Sequence, residues 1–379
     1  MSPALTINAI PPVPGIAFPT LSFHRDRLTN LAAEPALPRW SWACRIMEPG
    51  TTQIVSQPLG YVPAAGDLAV VEVEEMGFHE RITTQDNLRL RIYPGDRIVG
   101  VFGNRYATDA YEGEVDGLHE LSLLTAGGMI GTVRSRHRSV KRPTRVKFLG
   151  FVADSNGEVV NLKTAGFQKA APTQAPRNLV AVVGTGMNAG KTTSCVKLIK
   201  AISQQGHRVA ACKLTGSVSN RDQDEMRSAS AVQVLDFSDY GFPSTYLCGK
   251  DELMDLFGTM MAGLEPANAD VTVMEIADGI LQRETAMLLE DESIRQQLSG
   301  VVLAADNALS ARYAVSRLES LGHRVLAVTG VLTSSPLCMR EFAEISGTPV
   351  ASSAGDAIML GETVTAALEL RRNTAANVA

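Results

Sequence analysis

From residue 178 onward short, mostly apolar and β-branched runs recur: 179–183, 207–212, 271–274, 301–305, 325–329 and 349–351. Polar residues do not alternate within them, which is the pattern of strands buried on both faces. Between the runs the period changes to that of a helix. Cys195, Leu198, Ile199 and Ile202 share one face, as do Leu253, Leu256, Phe257 and Met260. Strand and helix alternating in this way predict an α/β domain over 178–370, with a doubly wound, mostly parallel sheet.

The earlier half reads differently. The runs 68–74, 89–93 and 97–102 are strand-like, and Pro94-Gly95-Asp96 supplies a turn between the last two. They predict a smaller β-rich domain, barrel-like or a sandwich, over 41–165. Residues 1–40 hold prolines at 3, 11, 12, 14, 19, 35 and 38 and are expected to be extended or partly disordered. The Ala/Pro-rich segment 165–177 has no period, so a linker is expected over 166–177. No internal repeat of 20 to 50 residues is visible in the sequence.

Composition narrows the function. The 379 residues give room for two domains, and 35 Lys and Arg against 40 Asp and Glu exclude histone-like binding to polyanions. Up to residue 177 there are 19 basic and 17 acidic residues, and beyond it 16 and 23, so the halves carry +2 and −7. No run approaches the ~20 apolar residues of a membrane helix, and the N-terminus lacks the basic-then-apolar order of a signal peptide. A cytoplasmic protein without a membrane partner is expected. The five cysteines have no paired spacing, and the six histidines have no metal-ligand spacing.

Two stretches of the first half stand out. The basic run 134–145 places seven potential cations in twelve residues. It suits an anion, a solvated hairpin or a contact to the acidic second domain. Without interleaved aromatics or a recognition element, nucleic-acid binding is not expected. The block 103–113 mixes aromatic, charged and glycine residues, as in a ligand-facing or interface loop, or around a buried Arg–Asp pair.

The strongest motif follows the run 179–183: Gly184-Thr185-Gly186-Met187-Asn188-Ala189-Gly190-Lys191-Thr192-Thr193. Backbone N–H groups of a Gly-rich turn and the positive end of the next helix form an anion cradle. Lys191 is placed to reach β and γ phosphates, and the Thr192 hydroxyl to ligate Mg²⁺.

Gly184 stands six residues before Gly190, where the commonest phosphate loop has five. The resulting Gly-Thr-x-x-x-x-Gly-Lys-Thr resembles the loop of dethiobiotin synthetase, within a wider class of P-loop proteins that includes cobyric-acid-synthase-like enzymes. Three further segments resemble that family's. Lys213-Leu-Thr-Gly216 is similar to a Lys-Pro-x-x-x-Gly segment whose lysine faces the transferred phosphate. Residues 220–225, with Asp222 and Asp224, resemble its aspartate-bearing segment. Val271–Gly279 resembles the strand that delivers a metal-binding glutamate, here Glu275 in preference to Asp278.

The resemblance spans roughly 178–365 and leaves the first half uncovered. It implies a Mg²⁺- and ATP-dependent homodimer that phosphorylates a carboxylate or carbamate of a small, anionic substrate for ligation. In it Lys191 and Lys213 hold the γ-phosphoryl group, and Thr192, Glu275 and Asp224 are metal ligands; phosphoryl transfer to a hydroxyl would instead use Asp222 or Asp224 as a base. A small-molecule kinase and a nucleotide-switched assembly protein stand as alternatives. The family's base-recognition motif is not evident at 333–336, so GTP is not excluded. Asp306-Asn307 and Thr333-Ser334-Ser335 close later runs and are candidates to border the base or the substrate.

Overall fold

The computed structural model describes residues 29–30, 38–48, 52–58, 60–353 and 357–370. In the first half the strands are β1 (Thr29–Asn30), β2 (Arg39–Trp40), β3 (Gln53–Val55), β4 (Leu68–Glu75), β5 (Arg81–Thr83), β6 (Arg89–Arg91), β7 (Arg97–Phe102), β8 (Tyr111–Glu114), β9 (Leu121–Leu123), β10 (Met129–Arg136) and β11 (Thr144–Ala153). A short helix, α1 (Leu162–Gly166), follows.

The strands β4, β7, β10, β9 and β11 pair in a ring, because β9 bonds both β10 and β11. The expected β-rich region therefore contains a closed five-stranded barrel. Side-chain alternation gives it two cores. Val71, Val73, Ile98, Phe102, Leu123, Ile130 and Phe151 fill the inside. Leu68, Val70, Val99 and Val101 face outward onto Trp42, Cys44 and Val218. Val218 belongs to the second half of the chain, so the barrel's outer face is part of the contact between the two halves.

The run 89–93 turns at Pro94-Gly95-Asp96 towards 97–102, as expected, without pairing with it. Its strand β6 pairs with β5, while β7 lies between β4 and β10. The Pro-rich segment is not wholly outside the sheet: β1 pairs with β3, and β2 with β7. The rest of 1–40 apart from Pro38 lies outside the described residues. The ion pairs of the basic run stay on the first half. Arg134 pairs with Glu114 at 3.0 Å and Asp116 at 2.8 Å, Lys141 with Glu80 at 3.6 Å, and Arg145 with Glu74 at 3.3 Å, all on the first half.

The second half contains β12 (Leu179–Gly184), α2 (Lys191–Gln204), β13 (Val209–Lys213), α3 (Arg221–Ser228), β14 (Gln233–Asp236), α4 (Lys250–Leu264) and β15 (Val271–Glu275). It continues with α5 (Arg283–Leu289), α6 (Glu292–Gln297), β16 (Leu298–Ala304), α7 (Ala308–Ser320), β17 (Val325–Thr329), α8 (Pro336–Ile345) and α9 (Ile358–Ala367). The six strands run in the order β14-β13-β15-β12-β16-β17, and all pair in parallel. The run 349–351 adds only an isolated bridge, Val328 to Val350.

Both faces are covered, as the mostly apolar runs require. Along β12, Val180 and Val182 pack with Cys195, Leu198, Ile199 and Ile202 of α2 and Leu360 and Val364 of α9. Leu179, Ala181 and Val183 pack on the other side with α4 and α7. Each fully buried aliphatic side chain contributes roughly 1.5–3 kcal/mol. The phosphate-loop strand is therefore anchored from both layers.

The segment joining the halves is fastened along α4. Phe167 stacks edge-on against Phe242 at 5.5 Å, Lys169 pairs with Asp255 at 2.6 Å, and the Ala170 amide donates to Thr259 at 3.1 Å. Arg45 reaches from the first half to Ser238 at 3.1 Å and to Asp239. Among the described residues no helix is long and apolar enough to cross a membrane.

Candidate functional site

The loop between β12 and α2 sits where the strand order reverses, since β13 lies on one side of β12 beyond β15 and β16 on the other. In open α/β sheets this is where ligands bind. Gly190 caps α2 at φ 99° and Asn188 has φ 63°. These left-handed residues turn the chain back on itself and point amides into the concavity. Lys191 is 7% exposed and donates to the Gly186 carbonyl at 2.8 Å. Burial pushes its ammonium below the ordinary lysine range, against the pull of Glu275 and Asp278.

Parallel pairing sets Lys213 level with Glu275 at adjacent strand ends. The Thr192 hydroxyl donates to Glu275 Oε1 at 3.0 Å, and Lys213 Nζ lies 3.7 Å from the same oxygen. Glu275 is 1% exposed, and its Oε2 has no hydrogen-bond partner. Lys213 also pairs with Asp222 at the start of α3. Burial opposes the Lys213 charge, but Glu275 and Asp222 outweigh it and hold the pKa above the usual range. The result is two buried ammonium groups flanking one buried carboxylate beside an anion cradle. A cavity of about 270 Å³ opens here, lined by loop residues 188 and 190–193 and by Arg221, Asp222 and Glu225.

The residues present fit a metal-bound nucleotide. An orphaned oxygen on a buried glutamate next to the loop threonine is what a hard cation would satisfy. Mg²⁺ typically takes one or two protein ligands and completes its shell with phosphates and water. Among the described residues no group of three or more His, Cys, Asp or Glu could hold a metal on its own.

Asp222 and Asp224 part company. Asp224 accepts from Asn87 at 3.0 Å, Asn220 at 3.2 Å and Arg227 at 3.4 Å, and does not join the Lys213 group. Two residues on a helix are about 200° apart, so only one of the pair can face Lys213. Through Asn87, Asp224 ties the two halves of the chain together. Thr185 donates to Asp306 at 2.9 Å, which brings the end of β16 against the loop. Thr333 and Ser335 are engaged in local caps, Thr333 on the Gly330 carbonyl and Ser335 on the Cys338 amide.

Three further features border the site. Asp278 follows Glu275 with φ 64°, and burial pushes its carboxyl up to about 6, against Lys191 and Lys213. Its position before Gly279, at a strand end, was the available signal. Gly330 backs the loop: its N–H neighbour Val331 donates to the Ala189 carbonyl at 3.0 Å. The block 103–113 lies against the loop, with the Thr108 amide 3.2 Å from Met187 Sδ and Asn188 donating to Asp109 at 2.8 Å. Beyond it, Tyr106 stacks on Tyr246 at 5.6 Å.

Residues 180–375 match the family described as CbiA, the CobQ/CobB/MinD/ParA nucleotide binding domain. A search of curated proteins returns no match. Among solved structures, the kinase domain of the Escherichia coli tyrosine kinase ETK is 14% identical, covering 41% of this chain and 68% of that one, with a TM-score of 0.31. The cell division protein FtsY of Thermotoga maritima is 16% identical over 55% of this chain and 74% of its own, with a TM-score of 0.31. Chloroplast FtsY of Physcomitrella patens is 13% identical over 55% and 70%, with a TM-score of 0.34. With its glycine-rich loop, its parallel sheet and a family match over half its length, the chain belongs to the CobQ/CobB/MinD/ParA family of nucleotide-binding P-loop domains.

Proposed function

We propose that the protein is a Mg²⁺-dependent, ATP-utilising enzyme that phosphorylates a small-molecule carboxylate or carbamate for ligation, in the manner of dethiobiotin synthetase. The observation that supports it is the second buried cation, Lys213, held beside the phosphate loop by Glu275 and Asp222. A single P-loop lysine suffices to bind a nucleotide. A second ammonium at the strand end suits the charge that develops on a phosphoryl group in transfer.

In the proposed reaction an acceptor oxygen attacks the γ-phosphorus and the bond to the β–γ bridging oxygen breaks, so ADP leaves. An amine then displaces phosphate from the mixed anhydride. Lys191 and the loop amides bind and orient the triphosphate, and Lys213 balances charge on the γ-phosphoryl oxygens. Thr192 and Glu275 would hold Mg²⁺, which when bound neutralises charge on the β and γ oxygens. A simple kinase would need a free base near its acceptor. Asp222 is ion-paired to Lys213 and Asp224 is turned towards Asn87, which favours ligation over that alternative. The grip of Thr108 and Asp109 on the loop favours a second reading, a nucleotide-switched assembly protein whose barrel responds to the loop.

The test is ADP formation with Mg²⁺-ATP across pools of carboxylates and amines. The proposal expects substrate-dependent ADP with release of phosphate, reduced at least about 100-fold in Lys213→Ala. A stable phosphorylated product would point to a kinase. Slow, substrate-independent hydrolysis stimulated by a protein would favour the switch.

A further inference from the structure

A second cavity, of about 750 Å³, adjoins the phosphate loop. That volume is typical of a small-molecule site. One wall is the β5–β6 hairpin of the first half, with Thr83 and Arg89; the other is formed by α2 and α3 of the second half. Arg221 and Glu225 line both this cleft and the phosphate-loop cavity, so the two share a wall. The same face of α2 runs through both. Thr193 lines the loop cavity, and Lys197 and Lys200, four and seven residues further on, line the cleft.

The cleft is built by fixed contacts. Asn87 of the hairpin region bonds Asp224 at 3.0 Å and Asn220 at 2.6 Å. The Thr83 amide donates to the Ala126 carbonyl at 2.8 Å. A Cβ on the neighbouring Gly127 would lie 2.8 Å from the Val218 carbonyl oxygen, so the halves are in close backbone contact there.

Its charge is one-sided. Arg89, Lys197, Lys200 and Arg221 face two carboxylates, Asp224 and Glu225. Both carboxylates are engaged, Glu225 by Arg221 at 2.7 Å and Asp224 by Asn87, Asn220 and Arg227. Among the described residues, Arg89 and Lys200 are left with no ion-pair partner. A cleft of one sign with low-dielectric walls concentrates ligands of the other.

We propose that this cleft binds the second substrate, a small organic anion with at least two acidic groups, carboxylate or phosphate. Arg89 and Lys200 hold one acidic group and leave the other to face the phosphate-loop end at Arg221. The inference rests on the phosphorylation reading above and names the substrate class that the reading leaves open.

The test uses the full chain saturated with Mg²⁺ and a non-hydrolysable ATP analogue, so that phosphate probes cannot enter the loop. Citrate and glycerol 3-phosphate are titrated separately by calorimetry at constant ionic strength. Saturable binding of at least one probe is expected, weakened at least tenfold in the Arg89→Ala/Lys200→Ala double variant. Both replaced side chains are exposed, so the variant's melting temperature and analogue affinity, measured alongside, should stay close to wild type. Binding of citrate alone or of glycerol 3-phosphate alone supports the site and selects the acidic group. No saturable binding of either probe, or binding unchanged in the double variant, overturns the proposal. Failure of the analogue itself to bind sinks the phosphorylation reading instead, and citrate titrated into nucleotide-free protein then still tests the cleft.

Discussion

The Glu275→Gln protein is expected to turn over Mg²⁺-ATP about 10²–10³-fold more slowly than wild type while keeping its fold. The substitution preserves shape but removes the charge of a side chain that is 1% exposed. It also replaces an oxygen by an amide nitrogen that cannot ligate a cation. The Thr192 hydroxyl retains an oxygen partner only in one amide orientation, and Lys213 keeps Asp222. The loss should therefore fall on metal-dependent chemistry more than on stability. Turnover measured against Mg²⁺ concentration separates the two: the half-saturating concentration should rise, with a melting temperature close to wild type. Wild-type turnover and Mg²⁺ dependence would remove Glu275 from the metal site.

Gly330→Ala should damage both stability and binding. Gly330 has φ 90° and ψ −154°, a region that side chains avoid. A Cβ there would stand 2.3 Å from the Ala189 carbonyl oxygen and 2.9 Å from the Ala305 nitrogen, both backbone atoms. No side-chain rotation relieves either contact, so β17 and the phosphate loop must move apart. Strain and collision together should cost about 3 kcal/mol or more. For a domain of this size that lowers the melting temperature by roughly 10 °C. Nucleotide affinity should fall as well, because Ala189 lies inside the loop. A thermal melt and a nucleotide titration of the same preparation check both. An unshifted melt would show that the loop yields freely.

Legibility in the sequence followed the range of the interactions. The loop 184–193 is a contiguous motif whose strand and helix are both strongly patterned, so its geometry could be expected from local residues. Lys213 and Glu275 were legible because buried parallel strands end together at one edge of the sheet. The register pairing Lys213 with Glu275 brings them side by side. Asp222 and Asp224 were not separable without knowing that α3 begins at Arg221, which fixes which of them faces inward. Strand β14 escaped notice as a four-residue edge strand with alternating burial, unlike the fully buried runs.

The barrel was the least legible part. Its closure depends on three-residue β9 and on a parallel pairing of β7 with β10, contacts that no local pattern announces. The block 103–113 looked unusual in sequence. Its partners, Met187 and Asn188, are distant in the chain, so its contact with the phosphate loop became visible only in three dimensions.

The second half is expected to bind a Mg²⁺-nucleoside triphosphate through Lys191. Calorimetric titration of ATP and of GTP, each with Mg²⁺, into wild type and Lys191→Ala tests it most directly. Saturable binding of at least one of the two nucleotides is expected, weakened at least about 100-fold by the substitution, since a buried loop ammonium would be a charge-assisted donor to phosphate. Equal affinity in wild type and Lys191→Ala, or no binding of either nucleotide, would contradict it.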